Sequence, residues 1–151
     1  MQLTEHTDSA GETEACGARL ARALCADPSL PPFVALYGDL GVGKTAFVRG
    51  FVSVVSPQAR VRSPTFSLVN EYPAVPRPVF HFDMYRIADE DDLASIGFDD
   101  YLARPGICLV EWSENIPDAL PGDYLRVRIE KDDPTRPDSR RISIDRIGGE
   151  P

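Results

Sequence analysis

No apolar run in the 151 residues approaches the ~18–20 needed to cross a membrane as a helix. The opening residues, Met1-Gln2-Leu3-Thr4-Glu5-His6, lack both the basic start and the apolar stretch of a signal peptide. Cysteine is scarce: Cys16, Cys25 and Cys108 form no CxxC or CxxH unit and leave an odd one out. This argues against a disulfide framework or a zinc site and points to a reducing, cytoplasmic setting. Positive charge is short too, with 16 Lys and Arg against 24 Asp and Glu, a net charge of −8 and a pI near 4.7. An unaided grip on nucleic acid needs a surplus of cations to neutralise phosphates, which argues against that class of function. Internal repeats and low-complexity tracts are also missing. What remains is an acidic chain, 42% hydrophobic and 26% charged, of a length that suits one domain. A chain of this size buries roughly 68–70% of its unfolded surface, enough to fold without a staple.

Residues 1–151 therefore read as a single domain, with 1–11 a loose arm or short edge strand and 148–151 a flexible tail. Ala15, Ala18, Leu20, Ala21 and Leu24 recur at helical spacing, predicting a helix over 12–26 that Asp27-Pro28 stops. Phe33–Tyr37 is a continuous apolar run, the form of a strand buried on both faces of a parallel sheet. A glycine-rich turn, 38–43, leads to a second helix over 45–55. Prolines 64, 73, 76 and 78 leave room for only a short strand at 66–69. Residues 79–85 alternate, with Phe80, Phe82 and Met84 on one side and His81, Asp83 and Tyr85 on the other. Asp89–Asp92 opens a helix through Ile96, its acids complementing the positive helix end. Ile107–Val110 is a second wholly apolar run, and 124–130 with 141–147 form a C-terminal hairpin. The sum is an α/β fold, a mostly parallel sheet flanked by helices, with antiparallel edge strands.

Gly38-Asp39-Leu40-Gly41-Val42-Gly43-Lys44-Thr45 fits G-x-x-x-x-G-K-[ST] at every fixed position. Glycines let backbone N–H groups crowd around phosphate oxygens, and the following helix turns its positive end to the same anion. The expected nucleotide contacts are Asp39, Leu40, Gly41, Val42, Gly43, Lys44, Thr45 and Ala46. Lys44 would reach the β- and γ-phosphates, and the Thr45 hydroxyl would ligate Mg²⁺. Two acids could complete the site. Glu111, directly after an apolar run, has the Walker B form and is placed near the metal; Asp83, on a half-polar strand, is placed near the γ-phosphate.

Four motifs stand in order: GDLGVGKT, then Ser63-Pro64-Thr65-Phe66, then His81-Phe82-Asp83-Met84-Tyr85-Arg86, then Leu109-Val110-Glu111-Trp112. The set resembles the TsaE family, formerly YjeE, from about Glu12 to Glu130. The resemblance implies a P-loop NTPase fold that binds ATP or ADP with Mg²⁺. It implies a weak ATPase in threonylcarbamoyladenosine (t6A) biosynthesis that drives turnover of the TsaB–TsaD pair. Such a protein would meet tRNA only through that complex and would touch no membrane. By the same resemblance Lys44, Thr65 and Asp83 form the catalytic set, with Thr65 a switch-like threonine. Thr45 and Glu111 are the magnesium residues, and Trp112 lies close to the nucleotide.

Plainer readings accompany these. His81 reads as a structural strand histidine, Asp89–Asp92 as a solvated helix start, and Cys108 as core packing. The competing function is a P-loop small-molecule kinase, but Ser113–Asp118 carries no basic lid cluster. A GTPase would want N-K-x-D, and Glu130-Lys131-Asp132-Asp133 lacks the asparagine. A nucleotide-dependent scaffold that hydrolyses little is the remaining class.

Overall fold

The computed structural model describes residues 2–39, 41–62, 64, 68–74 and 77–149. Among the described residues seven strands form one sheet: β1 (Gln2–Thr7), β2 (Phe33–Tyr37), β3 (Val69–Tyr72), β4 (Val79–Asp83), β5 (Ile107–Glu111), β6 (Tyr124–Lys131) and β7 (Arg140–Ile147). Their spatial order is β1-β7-β6-β2-β5-β4-β3. The central strands β6, β2, β5 and β4 run parallel, while β3, β7 and β1 add antiparallel edges. The sheet is thus mixed, parallel where the site lies. Among the described residues four α-helices accompany it: α1 (Ala10–Ala26), α2 (Lys44–Val55), α3 (Glu90–Ser95) and α4 (Phe98–Ala103).

The apolar runs predicted as doubly buried strands occupy the centre of the sheet. On one face, Val34, Leu36, Leu109, Leu125, Val127 and Ile129 pack under α1 and α2. On the other, Phe33, Ala35, Phe80, Phe82 and Val110 pack with Phe98 of α4 and Leu93 of α3. Ser9 caps α1, its hydroxyl accepting the Glu12 N–H at 3.1 Å, so the helix begins two residues before the predicted start. The approach of α1 to α2 depends on two glycines. A Cβ at Gly17 would lie 2.0 Å from the Phe47 carbonyl oxygen, and one at Gly50 1.8 Å from that of Glu14.

Of the two readings of residues 1–11, the edge strand is the one found: β1 pairs with β7 from Gln2↔Asp145 to Thr7↔Arg140. The strand expected at 66–69 starts only at Val69 and runs to Tyr72. Leu68 has a left-handed φ of 63°, which breaks extended backbone before that point; Phe66 and Ser67 lie outside the described residues. The helix predicted from Asp89 ends at Ser95, and Gly97, at φ 70°, starts the unpredicted α4. The two-faced reading of β4 also needs correction. Phe80, Phe82 and Met84 are buried as expected, but His81 on the opposite face is buried completely as well, with Glu111 and Tyr72 as its neighbours.

Candidate functional site

β2 ends at Tyr37, and the chain turns back into α2 through Gly38 (φ 148°), Gly41 (φ 76°) and Gly43 (φ 111°). A Cβ at Gly38 would lie 2.6 Å from the Ile129 carbonyl oxygen, so strand β6 leaves room for no other residue there. Val42, Gly43, Thr45 and Ala46 carry the turn into the first residues of α2, with Asp39 and Gly41 before them. Leu40 and Thr65, both singled out in the sequence, lie outside the described residues.

The register of the parallel strands places the acids. Glu111 aligns with Leu36 on β2 and with Asp83 on β4. Both carboxylates therefore stand at the carboxyl ends of the central strands, beside the glycine loop, where open α/β sheets bind their ligands. The Asp83 Oδ1 atom accepts the Tyr85 N–H at 2.9 Å. Burial raises the Asp83 carboxyl above the ordinary carboxylate range, and the neighbouring Glu111 charge adds to this. Glu111 is 5% exposed, with its Oε2 atom 2.5 Å from His81 Nε2.

Lys44 is buried, its Nζ donating to the Gly38 carbonyl at 2.5 Å and lying 3.7 Å from the centre of the Trp112 indole. Trp112 reaches this position because it follows β5 with a left-handed φ of 58°. Its ring meets that of the exposed Tyr85 at 5.0 Å. Burial lowers the Lys44 pKa, against the opposing fields of Glu111, Glu114, Asp83 and Asp39. A desolvated ammonium facing several carboxylates, beside inward-turned glycine backbone, is arranged for a ligand carrying its own anions and a cation.

Sequence reasoning missed Arg140. From β7 its Nε donates to the Val42 carbonyl at 2.7 Å and its Nη1 to those of Pro137 and Ser139 at 2.6 and 2.8 Å. It ties the hairpin to the glycine loop, and it lines a cleft with Ser9, Thr13, Gly43 and Ala46. No motif marks an arginine that acts through a carbonyl 98 residues away. A groove of about 680 Å³ opens on the loop's other flank, between Gly38-Asp39 and Arg128, Glu130 and Lys131. Asp89 and Asp92 serve as caps, accepting the N–H groups of Asp92 and Ala88, and Cys108 lies in the core.

Among the described residues no group of three or more His, Cys, Asp and Glu side chains could hold a metal alone. The oxygen donors at the loop, the Thr45 hydroxyl with the Asp83 and Glu111 carboxylates, instead suit Mg²⁺. That ion is usually held by one or two carboxylates together with substrate phosphates and water. Nor is any described helix long and apolar enough to cross a membrane.

A family model described as threonylcarbamoyl adenosine biosynthesis protein TsaE matches residues 7–142. The chain is 43% identical over 111 residues to the tRNA threonylcarbamoyladenosine biosynthesis protein TsaE of Haemophilus influenzae, covering 74% of this chain and 68% of that one. It is 35% identical over 147 residues to the Bacillus subtilis protein of the same name, covering 97% and 87%. The crystal structure of Bacillus subtilis YdiB superposes with a TM-score of 0.75 at 30% identity, over 99% of this chain and 87% of that one.

Proposed function

Since the chain belongs to the TsaE family of tRNA threonylcarbamoyladenosine biosynthesis proteins, we propose that it is the ATP-binding and ATP-hydrolysing member of that machinery. The reading includes a cytoplasmic setting and a weak Mg²⁺-dependent ATPase that drives turnover of a TsaB–TsaD complex. One observation carries it: Lys44, Asp83 and Glu111 converge on the glycine loop at the carboxyl edge of the parallel strands. The family assignment does not favour the kinase alternative.

In this reading the backbone of 38–46 holds the nucleotide phosphates, and Lys44 leaves the Gly38 carbonyl to meet the β- and γ-phosphates. Asp83, kept half-buried and close to the loop, orients the attacking water or senses the γ-phosphate. Trp112 borders the nucleotide, Thr65 is a switch-like residue, and Thr45 and Glu111 hold Mg²⁺. The ion, when bound, neutralises charge building on the phosphate oxygens. Calorimetric titration with ADP and ATP, with and without Mg²⁺, tests the reading. Wild type should bind both, and Lys44→Ala should lose most of the affinity while melting as a folded protein. Equal ATP binding by the two proteins would refute it.

A further inference from the structure

His81 lies two residues before Asp83 on β4, opposite Leu109, and so sits diagonally from Glu111 on the neighbouring strand. Its Nε2 is 2.5 Å from Glu111 Oε2; the His81 side chain is 0% exposed and that of Glu111 6%. A carboxylate only accepts, so Nε2 carries the hydrogen and donates it. Among the described residues His81 Nδ1 has no partner. The Tyr72 ring lies nearby, its centroid 6.4 Å from that of the imidazole and 27° from parallel, and the Tyr72 hydroxyl accepts the Arg62 N–H at 3.1 Å.

A buried strand position between Val79 and Asp83 is ordinarily filled by an aliphatic side chain. Burying an imidazole with one nitrogen unpaired is unfavourable unless the other does something an aliphatic cannot. What it does is fix one oxygen of Glu111. We propose that His81 is a positioning residue: it locks the Glu111 carboxylate so that the remaining oxygen faces the glycine loop, and thereby sets how tightly the site takes the Mg²⁺ of a bound nucleotide. This rests on the nucleotide-binding reading above. It adds to that reading a residue that touches neither nucleotide nor metal. Hydrogen-bond partners behind a metal ligand commonly control affinity by 10–100-fold.

The test compares His81→Leu, which removes the donor, with His81→Gln, whose amide N–H can reach the place of Nε2, and His81→Asn, whose shorter amide cannot. Each ADP-loaded protein is titrated with MgCl₂ and followed by Trp112 fluorescence, alongside Mg²⁺-free ADP affinity and melting temperature. His81→Leu and His81→Asn should bind Mg²⁺ at least about tenfold more weakly, with Mg²⁺-free ADP affinity within about twofold of wild type. His81→Gln should recover most of the loss. If His81→Leu does not fold, the contrast between His81→Asn and His81→Gln decides. Wild-type Mg²⁺ affinity in the donor-less variants overturns the proposal while leaving the nucleotide-binding reading intact. So does a His81→Gln as weak as His81→Asn, or a fall in Mg²⁺-free ADP affinity parallel to that for Mg²⁺. Failure of the wild type itself to bind ADP overturns both.

Discussion

Asp83→Asn should separate catalysis from stability in opposite directions. The amide keeps the volume of the carboxyl and an oxygen to accept the Tyr85 N–H, which Asp83 Oδ1 now takes at 2.9 Å. The change therefore removes charge and little else. Folded-state burial, followed by the Glu111 charge, raises this carboxyl above its usual range. For an acid whose folded pKa is raised, ionisation favours the unfolded chain. The native state keeps its full stability at pH values below the unfolded pKa and loses some as pH climbs through the folded one. Asn does not titrate. The melting temperature of Asp83→Asn should accordingly match wild type near pH 3 and exceed it at pH 7. Turnover should go the other way, by ~10²–10³-fold, or about 2.7–4 kcal/mol, the usual cost of one preorganised polar group at a transition state. ATP affinity should stay close to wild type, since the group acts after binding. Scanning calorimetry at both pH values and a steady-state phosphate-release assay on one preparation provide the readouts. A mutant that melts lower at pH 7, or that turns over ATP at the wild-type rate, refutes the reasoning.

Lys44→Met should also melt higher than wild type at neutral pH while losing phosphate affinity. Burial lowers the Lys44 pKa, so the charged form costs stability until alkaline pH removes the proton, and the advantage of methionine should shrink there. A lower melting temperature at pH 7 would contradict this. Gly50→Ala places a Cβ 1.8 Å from the Glu14 carbonyl oxygen, and backbone on backbone cannot yield cheaply. A loss of about 3 kcal/mol is expected, or roughly 6–12 °C in thermal melts at ~2–4 °C per kcal/mol for this chain length; an unchanged melt would show that α1 moves freely from α2. Arg140→Met withdraws the guanidinium from the Val42 carbonyl, so ADP affinity by calorimetry should fall about tenfold, ~1.4 kcal/mol, and wild-type affinity would mean that the hairpin does not brace the loop.

The parts of the fold legible in the sequence are those where local pattern and tertiary environment agree. Phe33–Tyr37 and Ile107–Val110 are apolar because both faces of these central strands are covered, and the glycines of 38–43 are required by left-handed backbone and by the approach of β6. Legibility failed where a distant element decided the outcome. His81 looked like the polar half of an alternating strand, but it is fully buried, and its partner Glu111 lies 30 residues on. β3 starts late because Leu68 turns left-handed, and a leucine carries no sequence signal for that. The helix expected through Ile96 gives way to an unexpected one, α4, which Gly97 caps, since burial of Phe98 against Phe33 and Phe82 restarts the helix. Arg140 acts on a loop that only the folded hairpin brings near.

ATP hydrolysis by the purified chain, measured alone and with a TsaB–TsaD pair, using Lys44→Ala as the blank, tests the central claim most directly. A weak ATPase that drives the pair should show slow Mg²⁺-dependent phosphate release alone, a severalfold or greater rise when the pair is added, and neither signal in Lys44→Ala. Release that is the same for Lys44→Ala and wild type, or that the pair leaves unchanged, would contradict it.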